Sequence, residues 1–196
     1  MRLTEKEIRS GIDNIEIRDG EEKDSEIYAE GYSLVFNSWS EDLGGFVETI
    51  EPSALEGSDL SDVRALFNHN ADKILARSSA GTLDLEADEK GLKFRFKIPD
   101  TSYGKDIAEN LRNGNINQCS FGFVLDENGD SFDFDEKRNI YKRTLKKIKS
   151  VTDISLVTYP AYSETSVAPA LRSIDKIEKN KLDREKQKLR LKLNLI

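Results

Sequence analysis

The sequence predicts a mainly β domain flanked by a few helices. Short runs rich in β-branched and aromatic residues recur at close spacing between residues 27 and 168, and turn-forming residues bound them. Only two short segments within this region carry helix signals, whereas the chain ends in a charged stretch of helical composition without Gly or Pro. Many short strands with little helix are typical of a small β-barrel or of a sandwich with helical cover.

The strand predictions rest on alternation and on turn residues. The clearest case is 91–98, where Leu92, Phe94 and Phe96 fall on one face of an extended chain. Turn sequences such as Asn128-Gly129 separate such runs. The predicted strands are 28–36, 45–50, 63–67, 81–86, 91–98, 117–125, 139–149 and 151–158.

Two helices are predicted inside the β region. Pro52 suits the first turn of a short helix over 52–56, because its missing N–H is not needed there. The second helix, over 102–113, follows the capping candidate Thr101 and ends at Gly114, a residue suited to the turn that stops a helix.

Charge divides the chain into three parts. Residues 1–26 form a charge-rich lead-in with at most one edge strand near Ile15 and Ile17. Residues 171–196 carry nine basic and four acidic side chains, so this tail has a charge of +5 and the first 170 residues have −12. We therefore expect a domain over 27–170, a solvated helix over 171–188, and a final 189–196 stretch that suits strand or helix equally.

Composition excludes several classes of function. A net charge of −7 on 196 residues argues against nucleic-acid binding by general electrostatics. A single Cys rules out a disulfide within the chain, and a single His rules out a metal site built from several histidines. No apolar run is long enough to cross a bilayer, and the N-terminus lacks a signal-peptide pattern. These features predict a soluble, intracellular protein that binds neither nucleic acid nor membrane, with no implied cofactor.

Ser120 is the first candidate for chemistry. In an extended 117–125, Cys119, Phe121 and Phe123 share an apolar face that belongs in the core. Ser120 then projects from the opposite face beside Gly122, whose lack of a side chain leaves room in front of the hydroxyl. This arrangement suits a nucleophile, although an ordinary half-exposed strand serine fits the same pattern.

His69 and Asp153 are the candidates for the partners that a serine nucleophile needs. A serine hydroxyl requires a base within hydrogen-bond reach, and His69 is the only imidazole in the chain. Asp153 lies in a hydrophobic predicted strand, where a carboxylate is costly unless it is partnered. Orienting His69 would provide that partner, and so would a salt bridge to a neighbouring Lys or Arg.

Cys119 is the alternative nucleophile. Its predicted neighbours Phe121 and Phe123 indicate burial, and a thiol buried among apolar groups has a raised pKa and is unreactive. A thiol-dependent hydrolase therefore remains a competing hypothesis that replacement of Cys119 by Ala would separate from the serine hypothesis.

Six segments together resemble the tailed-bacteriophage prohead maturation proteases, serine proteases similar in fold to the herpesvirus assemblins. Each segment is short, but their order along residues 28–168 makes the resemblance specific. The segments are DLGGFVETIEPSAL (42–55), DVRALFNHN (62–70), ILARSSAGTLDL (74–85), GLKFRFKIPDT (91–101), RNGNINQCSFGF (112–123) and ISLVTYPAYSETSV (154–167).

The resemblance implies a fold and a set of roles. The fold would be an antiparallel β-barrel with flanking helices. The His of the FNH motif, His69, would be the general base, and the Ser of the CSFGF motif, Ser120, the nucleophile. Asp153 is the candidate third member, because the chain has no second His. Backbone N–H groups near Ser120, or Arg64 or Arg77, are candidates for stabilising the oxyanion.

The resemblance also implies partners and a location. Proteases of this family cleave the scaffolding part of the capsid protein inside the immature shell, and often themselves. The expected partners are therefore the major capsid protein or its scaffolding segment, the chain itself and, by analogy with the assemblins, a second copy in a homodimer. The expected location is the prohead in the host cytoplasm, without secretion.

A non-enzymatic function is the alternative. The charged termini would suit a catalytically inactive scaffold or capsid-assembly protein with the same fold. The basic 171–196 tail would be a self-processing target, a tether to an acidic capsid surface, or only an extension. The presence of both His69 and Ser120 favours the enzyme.

Overall fold

The computed structural model describes residues 5–19, 26–159 and 164–193. Strands dominate the described chain, as the sequence predicts. The strands are β1 (Lys6–Asn14), β2 (Glu16–Asp19), β3 (Ile27–Val35), β4 (Phe46–Ile50), β5 (Arg64–Phe67), β6 (Asn70–Arg77), β7 (Leu83–Ala87), β8 (Gly91–Lys97), β9 (Gln118–Leu125), β10 (Asp130–Asp135), β11 (Ile140–Leu145) and β12 (Ile148–Val157). The α-helices are α1 (Ser102–Arg112) and α2 (Glu164–Leu193), and short 3-10 helices cover Pro52–Leu55 and Ser78–Ala80.

The described strands pair into three sheets. A five-stranded sheet has the order β1-β9-β12-β5-β6, a four-stranded sheet the order β2-β3-β8-β7, and a three-stranded sheet the order β10-β11-β4. Within the described ranges we find no closed barrel, so that expectation is unconfirmed. The expectation of purely antiparallel pairing is wrong for two pairs, because β12 with β5 and β11 with β4 are parallel. These partners are distant in sequence and are joined by long crossovers, which permit parallel pairing where a hairpin does not.

Alternating apolar residues build the core. Phe94 and Phe96 of β8 and Phe121 and Phe123 of β9 are each at most 2% exposed and belong to one continuous cluster. The predicted helix over 102–113 is confirmed as α1, which packs Ile107 and other apolar residues onto this cluster. Burial of these side chains is the main term that stabilises the sheets.

The predicted limits of α1 follow from its caps. The Thr101 hydroxyl accepts a hydrogen bond from the Gly104 N–H at 3.1 Å and so satisfies one of the N–H groups at the start of the helix. Gly114 adopts φ +70° just beyond the end, a conformation that glycine reaches without strain.

One predicted strand changes in the structure, and two strands between residues 70 and 135 are additional. The predicted 139–149 strand is split, because the N–H groups of Lys146 and Lys147 both turn back to the Gly129 carbonyl and end β11 at Leu145. Strands β6 and β10 were not predicted. The first five residues of β6 are exposed, so β6 lacks the alternation of a half-buried strand. β10, DSFDFD, does alternate, with Phe132 and Phe134 on one face, and its signal was missed.

The charged terminal segments are also ordered where the structure describes them. Residues 5–19 of the expected lead-in form β1 and β2 rather than a single edge strand near Ile15 and Ile17. Helix α2 begins before the composition break near 170, and its buried Ala170 and Ile174 pack with Leu43 and Phe46. The predicted 171–188 helix lies within α2, which continues to Leu193, whereas 194–196 lie outside the described residues.

Candidate active site

Three adjacent elements of the five-stranded sheet bring the sequence-predicted site residues together. Ser120 lies on β9, Asp153 on β12, and His69 on the two-residue turn that joins β5 to β6. The register of β9 and β12 places Ser155 opposite Ser120 and Asp153 opposite Gly122. The site is thus fixed by strand pairing rather than by a long loop.

The turn that carries His69 is tightly constrained. Asn68 and His69 have φ of +52° and +55°, so both adopt the left-handed conformation that a two-residue hairpin turn requires. Asn68 anchors the turn to β12, because its N–H donates to the Leu156 carbonyl at 2.9 Å and its Oδ1 accepts from the Thr158 N–H at 3.0 Å. A histidine in this strained conformation is uncommon, and strain of this kind concentrates at functional sites.

The His69 ring bridges the other two residues. Its Nδ1 lies 2.5 Å from Asp153 Oδ1, and its Nε2 lies 2.8 Å from Ser120 Oγ. A carboxylate only accepts hydrogen bonds, so Nδ1 carries the proton in this contact. The neutral ring then presents the Nε2 lone pair to the Ser120 hydroxyl, which is the tautomer that a general base needs.

Asp153 is a buried carboxylate with several partners. It is 2% exposed, and its Oδ2 accepts from Lys6 Nζ at 2.7 Å and from Thr152 Oγ1 at 2.8 Å. Burial raises its pKa, but the hydrogen bonds from His69 and Lys6 and the charge of Lys6 outweigh burial and lower the pKa to about 2. The sequence left two alternative partners for Asp153, the imidazole of His69 or a cationic side chain, and the structure has both.

Gly122 is required by the crowding around Asp153. A Cβ at this position would lie 2.3 Å from Asp153 Oδ2 and 2.4 Å from Lys6 Cε, well inside van der Waals contact. The expectation that Gly122 leaves open room in front of Ser120 is therefore wrong. The room is occupied by the carboxylate and by the lysine that holds it.

Ser120 itself is enclosed. It is 0% exposed, so the structure has neither the open space expected in front of a nucleophile nor the half-exposed serine of the alternative interpretation. The cover is β1, which pairs antiparallel with β9 so that Ser10 lies opposite Ser120. Burial arises because an edge strand that is distant in sequence adds to β9, which the local pattern of 117–125 does not reveal.

The cover also contacts the hydroxyl directly. Ser120 Oγ lies 2.8 Å from the Arg9 carbonyl oxygen, the same distance as from His69 Nε2. The hydroxyl has one proton to donate, so the Arg9 carbonyl and the imidazole compete for it. In this closed arrangement His69 does not have exclusive use of the Ser120 proton.

The side chains of the alternative nucleophile and of the two candidate arginines make contacts outside the set of Ser120, His69 and Asp153 side chains. Cys119 is fully buried on the opposite face of β9, and burial raises the pKa of its thiol to about 12, which leaves it unreactive at neutral pH. Arg77 donates to both oxygens of Asp62, and Arg64 contacts the same carboxylate at 3.2 Å.

Several residues of the site were not found from the sequence. Lys6 and Arg9 reach the site through pairing between β1 and β9, and no local signal in the sequence indicates that pairing. Ser155 Oγ accepts a hydrogen bond from the main-chain N–H of His69 at 3.2 Å. The strand register that places Ser155 there is likewise a tertiary feature. Asn68 could have been predicted as a turn residue, because Asn is the residue other than Gly that most readily adopts a left-handed turn position.

Comparison with known proteins gives two findings at the level of sequence. The model of the caudovirus prohead serine protease family matches residues 13–180. The chain is 29% identical over 154 residues to the prohead protease of Enterobacteria phage HK97, and this alignment covers 76% of the chain and 62% of that protein. The chain therefore spans less than two thirds of the length of this relative.

A solved structure has a similar fold. The capsid assembly protease of bacteriophage T4 matches with a TM-score of 0.53 at 14% identity, over 78% of this chain and 97% of that chain. Within the residues that the structure describes, no helix is long and apolar enough to cross a membrane, and no group of three or more His, Cys, Asp or Glu side chains is arranged to hold a metal ion.

Proposed function

The chain belongs to the caudovirus prohead serine protease family, and we propose that it is a serine endopeptidase that acts during maturation of a phage prohead. The proposal assigns Ser120 as the nucleophile, His69 as the general base and Asp153 as the carboxylate that orients the imidazole. It rests above all on one observation, the His69 ring that contacts Asp153 through Nδ1 and Ser120 through Nε2.

The proposed reaction is acyl transfer to Ser120. Oγ attacks the scissile carbonyl carbon while its proton passes to His69 Nε2. The imidazolium then gives this proton to the leaving amine, and the C–N bond breaks. A water molecule enters, loses a proton to Nε2 and hydrolyses the ester, which regenerates the serine.

Asp153 keeps the imidazole in the working tautomer and stabilises its charged form. Its lowered pKa, about 2, keeps it ionised throughout the neutral range. Two contacts hold the carboxylate in place, the hydrogen bond from Thr152 and the salt bridge from Lys6. His69 is fixed from both sides, by Asp153 and by the constrained turn, so little reorganisation is needed when charge develops on the ring.

Access to Ser120 requires a change at β1. An external substrate reaches the hydroxyl only after β1 has left β9, because Ser120 is 0% exposed beneath it. The Arg9 carbonyl of β1 lies within hydrogen-bond distance of the proposed nucleophile. This arrangement supports self-processing as part of the function, and the exposed residues 175–191 of the basic tail offer a second target.

The substrates and partners follow from the family. We propose that the enzyme cleaves the scaffolding segments of the major capsid protein inside the prohead, in the host cytoplasm, and that it also cleaves itself. The names of the two relatives, a prohead protease and a capsid assembly protease, support this setting. The analogy with assemblins extends the proposal to a homodimer, which the exchange of β1 between copies would favour.

The test compares Ser120→Ala with the wild-type chain. Both are incubated at high concentration, alone and after co-expression with the capsid protein of the same phage, and intact masses are followed for a day. We expect truncated chain and cleaved capsid protein with the wild type only. The matched control is Cys119→Ala, which leaves the hydroxyl intact and should cleave at the wild-type rate. Equal cleavage by Ser120→Ala and wild type would refute the assignment.

A further inference from the structure

A cluster of charged side chains is buried beneath β1, on the Phe123 side of β9. It consists of Glu7 and Arg9 on β1, Glu48 on β4, Asp130 on β10 and Arg143 on β11, and their side chains are all at most 6% exposed. We call this set the buried ion cluster. Charges so thoroughly removed from water are costly unless each is paired, so their retention calls for an explanation beyond stability.

We propose that Glu48 and Arg143 form a specificity pocket. On this proposal, which rests on the proposed function, the preferred substrate carries a basic residue at the carbonyl that Ser120 attacks and an acidic residue two positions earlier. β1 occupies this pocket in the closed chain with the sequence Glu7-Ile8-Arg9.

The position of β1 supports its use as a guide to substrate binding. It lies antiparallel to β9 at the edge of the sheet, where an extended peptide would add as a further strand. Its Arg9 carbonyl oxygen lies 2.8 Å from Ser120 Oγ, so Arg9 stands at the position of the residue whose carbonyl is attacked. The residue that follows, Ser10, faces Ser120 in the register.

Glu48 binds the Arg9 side chain through charged hydrogen bonds. Arg9 Nε donates to Glu48 Oε1 at 2.8 Å and a terminal nitrogen donates to Oε2 at 3.1 Å, so the two groups form a two-point contact. The guanidinium also lies over the Phe123 ring, 5.6 Å from its centroid. A carboxylate and an aromatic face around a planar cation select Arg strongly and Lys less well.

Arg143 binds the acidic side chain, which is Glu7 in β1. It donates to Glu7 Oε2 at 2.6 Å and to Oε1 at 2.8 Å, again a two-point contact. Residues 7 and 9 lie on the same side of an extended strand, so a single peptide presents both charges to the pocket. Asp130 and Glu48 hold Arg143 in place at 2.9 Å and 2.7 Å.

Lost hydrogen bonds explain why a matched peptide is preferred. When β1 leaves, Glu48 loses the Arg9 guanidinium and Arg143 loses the Glu7 carboxylate, while Glu48 and Asp130 still hold Arg143. A peptide with an acidic and a basic residue in the same spacing restores both contacts. A peptide without them covers Glu48 and Arg143 but does not replace these two contacts, which is a penalty against binding.

The reaction on such a peptide follows the steps above. Ser120 Oγ bonds to the carbonyl carbon of the basic residue, and the peptide C–N bond to the next residue breaks. His69 carries the proton from Oγ to the new amine. Water then releases the basic residue as a carboxylic acid end, and Ser120 recovers its hydroxyl hydrogen.

The test uses the full chain and peptides spanning residues 5–14, EKEIRSGIDN, labelled with a fluorophore and a quencher. Variants of the peptide carry Met or Glu in place of Arg9, or Gln in place of Glu7, and Ser120→Ala provides the background. We expect kcat/KM to fall at least about tenfold with Met and roughly a hundredfold with Glu at the Arg9 position, because a buried ion pair is replaced by a mismatch or a repulsion. The Gln variant should lose about tenfold.

The enzyme variant Glu48→Gln separates specificity from folding. We expect the ratio of kcat/KM for the Arg and Met peptides to collapse toward one, and a ratio measured on one preparation is unaffected by partial unfolding. Equal Ser120-dependent cleavage of the Arg, Met and Glu peptides would overturn the pocket and leave the proposed function standing. A chain that cleaves no peptide but reacts at Ser120 with a fluorophosphonate also overturns the pocket. A chain that does neither refutes the proposed function, and the pocket with it.

Discussion

Replacing Asp153 by Asn tests the electrostatic contribution of the buried carboxylate while nearly preserving its shape. The pKa of Asp153 is lowered from 3.8 to about 2, and the side chain is only 3% exposed, so solvent screening is weak. At about 1.4 kcal/mol per pKa unit, this shift corresponds to roughly 2.5 kcal/mol of folding stability at neutral pH. Asn lacks the charge and loses this contribution.

The pH dependence provides the sharper signature. Because the folded-state pKa lies below the unfolded one, the stabilisation is complete at neutral pH and disappears as the pH falls from about 5 toward 2. Between pH 7 and pH 3 the wild type should lose roughly 1 kcal/mol from this group, and Asp153→Asn should lose nothing from it. The difference in free energy of unfolding between the two chains therefore narrows by about 1 kcal/mol on acidification.

The assay is urea unfolding followed by far-UV circular dichroism at pH 7, 5 and 3. Titrating groups that do not contact Asp153 are common to both chains, so they cancel in the difference. Asp84→Asn, at an exposed position of β7, is the matched control and should show no narrowing. A gap between wild type and Asp153→Asn that stays constant from pH 7 to pH 3 would refute the ionised, partnered carboxylate. In the proposed reaction, the same variant should lower kcat on the order of 10⁴-fold, because an amide N–H facing Nδ1 favours the wrong tautomer.

Three further perturbations have definite outcomes. Gly122→Ala forces a Cβ within 2.3 Å of Asp153 Oδ2 and should cost about 1–3 kcal/mol in urea unfolding, whereas unchanged stability would contradict the crowding. On the proposed function, the same variant should also abolish proteolysis. Asn68→Ala should cost about 1–2 kcal/mol through its left-handed backbone and lost Thr158 contact. Asn68→Gly should recover the backbone part of that loss, and equal losses would show that φ is not the cause. Deletion of 182–196 should leave the melting temperature unchanged, because residues 182–191 of α2 are exposed. Deletion from residue 170 removes two buried apolar residues and should destabilise by about 2–3 kcal/mol.

The elements predicted from the sequence are those whose local pattern matches their environment. β8 alternates apolar and charged residues, which matches one buried face and one face exposed to solvent. α1 has capping residues in its own sequence at both ends. β1 shows the opposite case. Its inward residues Glu7 and Arg9 are charged and are buried by pairing with partners on β4 and β11, so a reading based on hydrophobicity assigns this segment to a solvated lead-in.

The candidate site also has one part that the sequence indicates and one part that it does not. Residue type and spacing made Ser120, His69 and Asp153 candidates but left an ordinary strand serine and a salt-bridged carboxylate open, and the resemblance to the prohead proteases supplied the proposed roles. The closure of the site depends on the pairing of residue 10 with residue 120, and the local sequence contains no signal for that contact. Exposure of a strand face is therefore predicted poorly for a strand that acquires an edge partner from a distant part of the chain.

The two properties of the site arise from different parts of the molecule. The geometry of Ser120, His69 and Asp153 is set by β9, β12 and the β5–β6 turn, which would remain paired if β1 left. Closure is set by β1, whose attachment depends on its main-chain pairing to β9, on Lys6 and on the buried ion cluster. A chain built this way can hold the proposed catalytic geometry ready while the nucleophile stays covered. Opening it requires breaking contacts to one edge strand, and a peptide that reproduces the charges of that strand would compensate for their loss.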